Sequence, residues 1–274
     1  MNLLRVMRCL KTGLVLVLGA SMWSAAIAHP AQEPSDRLLV KKASDSYYNL
    51  RRLGLVEFRA SIKPNWKVVL ADEIKKDPAS ADAGLKMLNG LHFAMLLDQK
   101  GSIYVTHSSE VSPTNDQMFA AFDQIYSGMD QIVHGFFDTW SLFNLTSAFP
   151  TSDSEFQLKD TGNLYELNYH DGPAAVKTTF SKDFLTKTIQ ISGSGLSAIV
   201  RPVLSKTSQG IVLTGYDGVY DSDAGRTQIV LHVEIEQQEV NSLQLPRTLK
   251  LSGSMNGEPF KSELSFSDYE VKTR

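Results

Sequence analysis

The histidines are the residues of this 274-residue chain most able to do chemistry. They are His29, His92, His107, His134, His170 and His232. Imidazole is a common copper ligand, and if the chain were cut after Ala28, His29 could chelate copper through its amino group and ring. Such a chelate needs a second histidine beside it, and no two of the others stand at a ligand spacing. We therefore predict no copper site.

His92 and His107 are the pair that a turn could bring together. They flank "FAMLLDQKGSIYVT", which reads as a hairpin with Gly101 at the position that needs a positive φ. A slip of one residue in register moves a strand side chain to the other face, so the pair would either face each other or lie on opposite faces. The sequence leaves both registers open, and we predict no metal site.

The acidic loop "DGVYDSDAG" offers Asp217, Asp221 and Asp223 as oxygen donors. It lacks the spacing and the terminal glutamate of a calcium-binding EF-hand loop. Asp and Gly are also the residues that tight turns prefer. We therefore interpret this stretch as the tip of a hairpin.

Catalytic signatures are also missing from the chain. His170-Asp171 and His107-Ser108 contain residue types of a catalytic triad, but they fall at strand ends or turns, and no G-x-S-x-G elbow is present. The P-loop, the dinucleotide fingerprint, H-E-x-x-H and C-x-x-C are absent. We expect no enzyme and no cofactor, although a carboxylate pair that only the fold assembles stays open.

The first 28 residues have the layout of a secretory signal peptide. Arg5, Arg8 and Lys11 precede the apolar run "GLVLVLGASMWSAAIA", which ends in a small-x-small site. We predict cleavage after Ala28 and an exported, periplasmic protein. Because the sole cysteine, Cys9, lies in the signal, the mature chain could form no disulfide.

Composition and charge narrow the partners of residues 29–274, which we interpret as a single domain. The whole chain has a formal net charge of −3 and no run rich in lysine or arginine, so we expect no nucleic-acid partner. No later segment is apolar enough to cross a bilayer, and we expect no transmembrane segment in the mature chain.

Most of the chain reads as antiparallel strands. "LVEFRASIKP" alternates apolar and polar residues from Val56 to Ile62, and from about 155 to the end short alternating runs are separated by turn signals such as "DTGN" and "NGEP". An opening helix is predicted up to Gly54, and a short one around "ADAGLKMLNGL". This pattern predicts a mainly β fold, either one curved antiparallel sheet or an open barrel, covered by an N-terminal helix and one long helix.

The long helix, predicted over 114–145, is unusually apolar on one side. At 100° per residue, twelve large apolar side chains fall within an arc of roughly 140°. They are Met118, Phe119, Phe122, Ile125, Tyr126, Met129, Ile132, Val133, Phe136, Phe137, Trp140 and Phe143. Asn115 or Thr114 is the expected N-cap. So many side chains must lie against another surface.

Two surfaces are possible for this arc. The arc could form a filled core with the sheet, or it could share the sheet's concave face with an apolar ligand, since methionines and aromatic rings make adaptable apolar walls. In the second case the cavity wall would comprise Phe58, Phe93, Met95, Val105, Phe122, Met129, Phe136 and Trp140. Gly128 or Gly135 would act as a hinge, or either could be a close-packing point.

The two ends of the chain resemble those of the LolA-like periplasmic carriers. The resemblance rests on "DSYYNLRRLGLVEFRASI" near the start and "LQLPRTLKLSGSMNGEPFKSELSFSDYEV" at the end. It implies an unclosed β-barrel covered by helices, with an apolar cavity that carries lipids or the acyl chains of lipoproteins. The long helix departs from the short helical lid of that family, which puts an acyl-chain ligand in question more than the fold.

The resemblance also implies a role for Arg59, since such carriers can hold a basic group near the cavity. The alternative is an outward-facing charge on a half-exposed strand. We predict a carrier or binding protein for an apolar ligand, with lipid or acylated protein as its partner. The alternative is an envelope protein with a filled core that acts through surface contacts with another envelope protein.

Overall fold

The computed structural model describes residues 34–151, 153–193, 195–222 and 227–274. The predicted signal peptide, Cys9, His29 and Asp223 lie outside these residues. In the described chain the helices are α1 (Pro34–Asp45), α2 (Trp66–Val69), α3 (Ala71–Lys76), α4 (Pro78–Asn89) and α5 (Asp116–Asn144). None of them has the length and apolarity that crossing a membrane requires.

Twelve strands form one antiparallel sheet. They are β1 (Leu55–Pro64), β2 (Leu91–Asp98), β3 (Ile103–Ser109), β4 (Phe156–Asp160), β5 (Leu164–Asp171), β6 (Ala174–Ser181), β7 (Thr186–Gly193), β8 (Leu196–Thr207), β9 (Gly210–Ser222), β10 (Thr227–Val240), β11 (Leu243–Met255) and β12 (Glu258–Thr273). Their order is β3-β2-β1-β12-β11-β10-β9-β8-β7-β6-β5-β4, so β3 and β4 are the two edges and the sheet is not closed. The predicted fold class is confirmed.

The alternation in β1 shows how the sheet acquires two different faces. Phe58, Ala60 and Ile62 are buried, whereas Arg59, between Phe58 and Ala60, and Lys63, after Ile62, are exposed. Side chains alternate between the faces of a strand, so one face carries the apolar set. We call the face that bears Phe58 the inner face and the opposite one the outer face.

The hairpin between β2 and β3 has the predicted turn. The Asp98 carboxylate accepts hydrogen bonds from the backbone N–H groups of Lys100, at 2.8 Å, and Ser102, at 2.9 Å. Gly101 adopts φ +89°, a conformation that glycine reaches without steric cost. The turn therefore fixes the register in which β2 and β3 pair.

The prediction of one opening helix as far as Gly54 is wrong, because α1 ends at Asp45. Beyond it the chain runs beside β9: the backbone N–H of Tyr48 donates to the carbonyl of Ile211 at 2.9 Å, and that of Ile211 donates to the carbonyl of Ser46 at 2.9 Å. These bonds to a distant strand outcompete the local helical pattern.

Candidate apolar binding site

Helix α5 lies on the inner face of the sheet. Its start is fixed by Asn115, whose side chain accepts a hydrogen bond from the backbone N–H of Met118 at 2.9 Å, as predicted. The His134 Nε2 atom lies 3.2 Å from the carbonyl oxygen of Ile103 on the edge strand β3. The predicted long helix is confirmed, with bounds two residues inside the predicted start and one inside the predicted end.

Seven of the eight predicted wall residues are buried between α5 and the sheet. From the sheet these are Phe58, Phe93 and Met95, and from the helix they are Phe122, Met129, Phe136 and Trp140. Val105 is partly buried and packs against the same cluster. The predicted residues therefore occupy one apolar interior, shared with side chains of nearly every other strand.

The aromatic side chains of this interior contact one another across the layers. The ring of Phe58 lies 6.4 Å from that of Trp140, at 86°, and 6.1 Å from that of Phe137. Phe93 and Tyr126 are 6.0 Å apart, close to edge-on. Such edge-to-face pairs stabilise a core beyond the burial of their area. A ligand would enter this interior only by parting these rings.

The structure corrects one residue of the predicted buried arc. Phe119 leaves 53% of its surface exposed, whereas Met118 beside it is partly buried and packs against the core. Near the other end of α5 the polar Ser141 is buried. The buried side of the helix therefore lacks Phe119, and its far end includes a polar residue.

Arg59 does not contribute to this interior. Its side chain is exposed and lies between two inward-facing neighbours, Phe58 and Ala60, so it points to the outer face. The LolA-like expectation of a basic group near the cavity is therefore wrong at this position. Arg59 is instead the outward-facing charge of the alternative interpretation.

Several polar atoms in the interior have no hydrogen-bond partner. Near the end of α5 these are Trp140 Nε1, Ser141 Oγ and Asn144 Oδ1. All three side chains are at least nine-tenths buried. Buried polar atoms in native proteins almost always have partners, and an unsatisfied one costs about 1–3 kcal/mol. Their number in one short stretch of helix is therefore unusual.

A second polar group adjoins this stretch on β9. The hydroxyl of the fully buried Tyr216 also makes no hydrogen bond of acceptable geometry, although Thr139 and Tyr220 lie close enough to influence its ionisation. Burial raises the pKa of Tyr216 well above the ordinary range, so the hydroxyl stays neutral and able to donate. Sequence reasoning missed Tyr216; its place on an alternating strand, "LTGYDGVY", was the available signal.

Gly218 leaves room for the ring of Tyr220 on the same strand. A Cβ atom added to Gly218, between Tyr216 and Tyr220 on the same strand, would lie 2.5 Å from Cε2 of Tyr220. The Tyr220 ring therefore occupies the space that a side chain at 218 would need. A larger residue at this position would move the ring.

The pairing of β2 and β3 decides between the two registers left open for His92 and His107. Strand pairing sets His92 opposite Ser108 and His107 opposite Phe93, so the two histidines lie on opposite faces of the hairpin. His92 instead contacts the Glu110 carboxylate at 3.0 Å, and the ring of His107 stacks on Tyr126 at 3.7 Å. Within the described ranges no group of three potential ligands could hold a metal ion.

The fold perturbs the ionisation of Asp138, a residue of α5. Its partial burial raises the pKa of the carboxyl, and the neighbouring His134 offsets only part of that rise. The folded protein therefore holds this proton more tightly than the unfolded chain does. Linkage then requires the free energy of unfolding to fall as pH rises from the ordinary aspartate pKa to the raised folded value.

Asp138→Asn should remove this pH dependence. We expect the variant to gain stability over the parent as pH rises above the ordinary aspartate pKa, because only the parent must ionise a partly buried carboxyl. Urea unfolding at a series of pH values measures the difference. Asp123→Asn, an exposed position on the same helix, is the control. Parallel curves for the parent and Asp138→Asn would contradict the assignment.

Comparison with known proteins adds no identification: no family model, no curated protein and no solved structure matches the chain.

Proposed function

We propose that this protein is a periplasmic carrier or binding protein that holds an apolar ligand, such as a lipid or the acyl chains of a lipoprotein, between α5 and the inner face of the sheet. The ligand would be bound without covalent chemistry. The observation that carries the proposal is the set of buried polar atoms without partners at the end of α5, embedded in an aromatic interior.

An amphiphile suits this combination of groups. Its chain would lie among Phe58, Phe136 and Met129, which are buried in the continuous apolar cluster. Its polar atoms would accept hydrogen bonds from the Trp140 indole N–H and the Tyr216 hydroxyl. Both groups can donate, and neither has a partner in the structure. A carbonyl or ester oxygen is such an acceptor. Binding would therefore recover hydrogen bonds that the free protein lacks.

Entry of the ligand requires α5 to move, because the rings on its buried side contact those of the sheet. The predicted hinge glycines, Gly128 and Gly135, are both buried within the helix. Glycine lowers the stability of a helix interior by about 1 kcal/mol relative to alanine. A local bend at Gly135 would separate Trp140 from His134, which is held near Ile103. A bend at Gly128 would separate both of them from the start of the helix.

The other parts of the proposal come from the sequence. The first 28 residues support export, and the two terminal segments support a LolA-like carrier. The single open sheet with a helix on its inner face is compatible with that resemblance. The donor and the acceptor of the cargo would be other proteins or membranes of the cell envelope.

The alternative is an envelope protein that has a filled core and acts through its surface. The ring contacts between Phe58, Phe137 and Trp140 favour it, because they already close the interior at this point. Under this alternative the unpartnered polar atoms would be satisfied by buried water molecules, which commonly serve such groups. The two functions therefore differ in what occupies the interior.

Tyr216→Phe distinguishes the carrier from the protein with a filled core, since it removes one unpartnered hydroxyl and nearly no volume. We expect the delipidated variant to be more stable than the parent by about 1–3 kcal/mol. We also expect it to retain less lipid, measured by extraction and quantification after reloading. Tyr104→Phe is the matched control, because Tyr104 is 58% exposed.

A different outcome would count against the carrier. Equal lipid contents in the parent, Tyr216→Phe and Tyr104→Phe proteins would show that the hydroxyl does not meet a ligand. A loss of stability in delipidated Tyr216→Phe would show that the hydroxyl is already satisfied, as buried water would achieve.

A further inference from the structure

Strands β9 and β10 separate at one end of the sheet. They pair from Ser222 opposite Thr227 as far as Gly215 opposite Glu234. Beyond that point β9 continues back to Gly210 and β10 continues to Val240 without pairing to each other. We call the gap between residues 210–214 and 235–240 the fork.

The backbone bordering the fork is partly satisfied by other groups. The backbone N–H and carbonyl of Ile211 bond to Ser46 and Tyr48 in the segment after α1. The Gln237 Nε2 atom donates across the gap to the carbonyl of Leu213 at 3.1 Å. An added β-strand would compete with these bonds, so the fork is a poor template for a peptide.

A groove of about 330 Å³ opens at the fork. This volume lies at the lower end of the range for small-molecule sites. The groove is lined by Ser205, Thr207, Ser208, Gln209, Val212, Thr214, Gln237, Glu239 and Gln244. Most of these lining residues lie at or near the β8–β9 and β10–β11 turns, which are at the same end of the sheet.

The lining has a distinct chemistry of four hydroxyls, three primary amides, one carboxylate and one apolar side chain. It contains no lysine or arginine, so phosphate or carboxylate ligands would find no cation there. Thr207, Thr214 and Gln237 already donate to backbone carbonyls.

Five lining side chains make no hydrogen bond to the part of the protein that the structure describes. They are Ser205, Ser208, Gln209, Glu239 and Gln244. Together they offer both donors and acceptors, with the carboxylate as the strongest acceptor. A ligand that satisfies them must itself carry many groups able to donate and accept, without net negative charge.

We propose that the groove is a binding site for a neutral saccharide. Sugar hydroxyls donate and accept at once, which matches the mixed amide, hydroxyl and carboxylate lining. The one apolar side chain of the lining, Val212, is buried and belongs to the edge of the core cluster, so the ligand would be held mainly by its polar groups. The site opens at the fork and not between α5 and the sheet, and the inference does not depend on the carrier function.

Titration of the isotopically labelled protein with maltose, cellobiose and N,N′-diacetylchitobiose tests the site by NMR. We expect at least one disaccharide to shift the side-chain amide signals of Gln209 and Gln244 in a saturable manner. The double variant Glu239→Gln/Gln244→Ala should weaken that binding by about ten-fold or more, because it removes two polar contacts. Gln237 is left intact because it holds the fork together.

The control is Gln190→Ala/Glu270→Gln, which changes the same residue types at exposed positions outside the groove. It should bind the disaccharide as the parent does. The proposal is overturned if no disaccharide gives a saturable shift at millimolar concentration, if the shifts lie outside the fork, or if the groove variant binds as tightly as the control. An unstructured alanine-rich pentapeptide is titrated in parallel, and saturable binding of that peptide alone would also overturn it.

Discussion

Trp140→Ala is expected to lower the free energy of unfolding by about 3–5 kcal/mol, the range for truncating a fully buried tryptophan. The indole is 0% exposed and contacts the rings of Phe58 and Phe137 edge-on. Its removal leaves a cavity between α5 and β1, the pair of elements that forms the centre of the interior. Urea denaturation followed by far-ultraviolet circular dichroism measures the change without relying on tryptophan fluorescence.

Phe119→Ala is the control for this prediction. Phe119 belongs to the same helix and to the same predicted arc, but more than half of its surface is exposed. Its truncation should change the free energy of unfolding by no more than about 0.5 kcal/mol. Similar losses in both variants would mean that the two ends of α5 are equally buried, contrary to the structure.

Gly210→Ala is expected to cost about 2–5 kcal/mol through two separate effects. Gly210 has φ +125°, where an L side chain costs about 1–2 kcal/mol. An added Cβ would also lie 2.7 Å from the backbone nitrogen of Tyr48 and 2.9 Å from the carbonyl carbon of Tyr47, which adds about 1–3 kcal/mol. The segment that closes one side of the fork would be pushed off β9.

Gly257→Ala isolates the first effect, because Gly257 has φ +82° but no other atom within 4 Å of an added Cβ. Thermal unfolding of the two variants should therefore differ, with the larger loss at 210. Equal losses would show that backbone strain alone matters and that residues 46–48 do not pack closely against Gly210.

The fold was largely predictable from local patterns. The alternation in β1, the Asp98–Gly101 turn and the Asn115 cap each depend on residues close in the chain, and the structure places all of them as predicted. Such features follow from side-chain periodicity and from turn and capping chemistry, which neighbouring residues determine.

Features set by distant residues were not predictable in this way. The opening helix ends early because residues 46–48 bond to Ile211, which is more than 160 positions away. Phe119 is exposed while its neighbour Met118 packs against the core, a difference that depends on the side chains that other elements bring to each position. Neither relation leaves a periodic signal in the sequence.

The candidate site was predicted only in part. The apolar wall followed from the helix arc and the strand alternation, whereas the unpartnered atoms of Trp140 and Ser141 depend on what surrounds them in three dimensions. The polar groove had a weak signal in "SKTSQG" and "QQEVNSLQ", which are rich in serine and glutamine at two hairpin ends. Only the topology shows that these ends adjoin.

Native mass spectrometry of the protein, purified without detergent from the cells that make it, tests the carrier proposal most directly. The account predicts a stoichiometric adduct that disappears on organic extraction, and lipid analysis of the extract then gives the ligand class. A bare mass, unchanged after incubation with phospholipid and acylated peptide, would contradict the account. The interior would then be a filled core, and the function would lie on the surface.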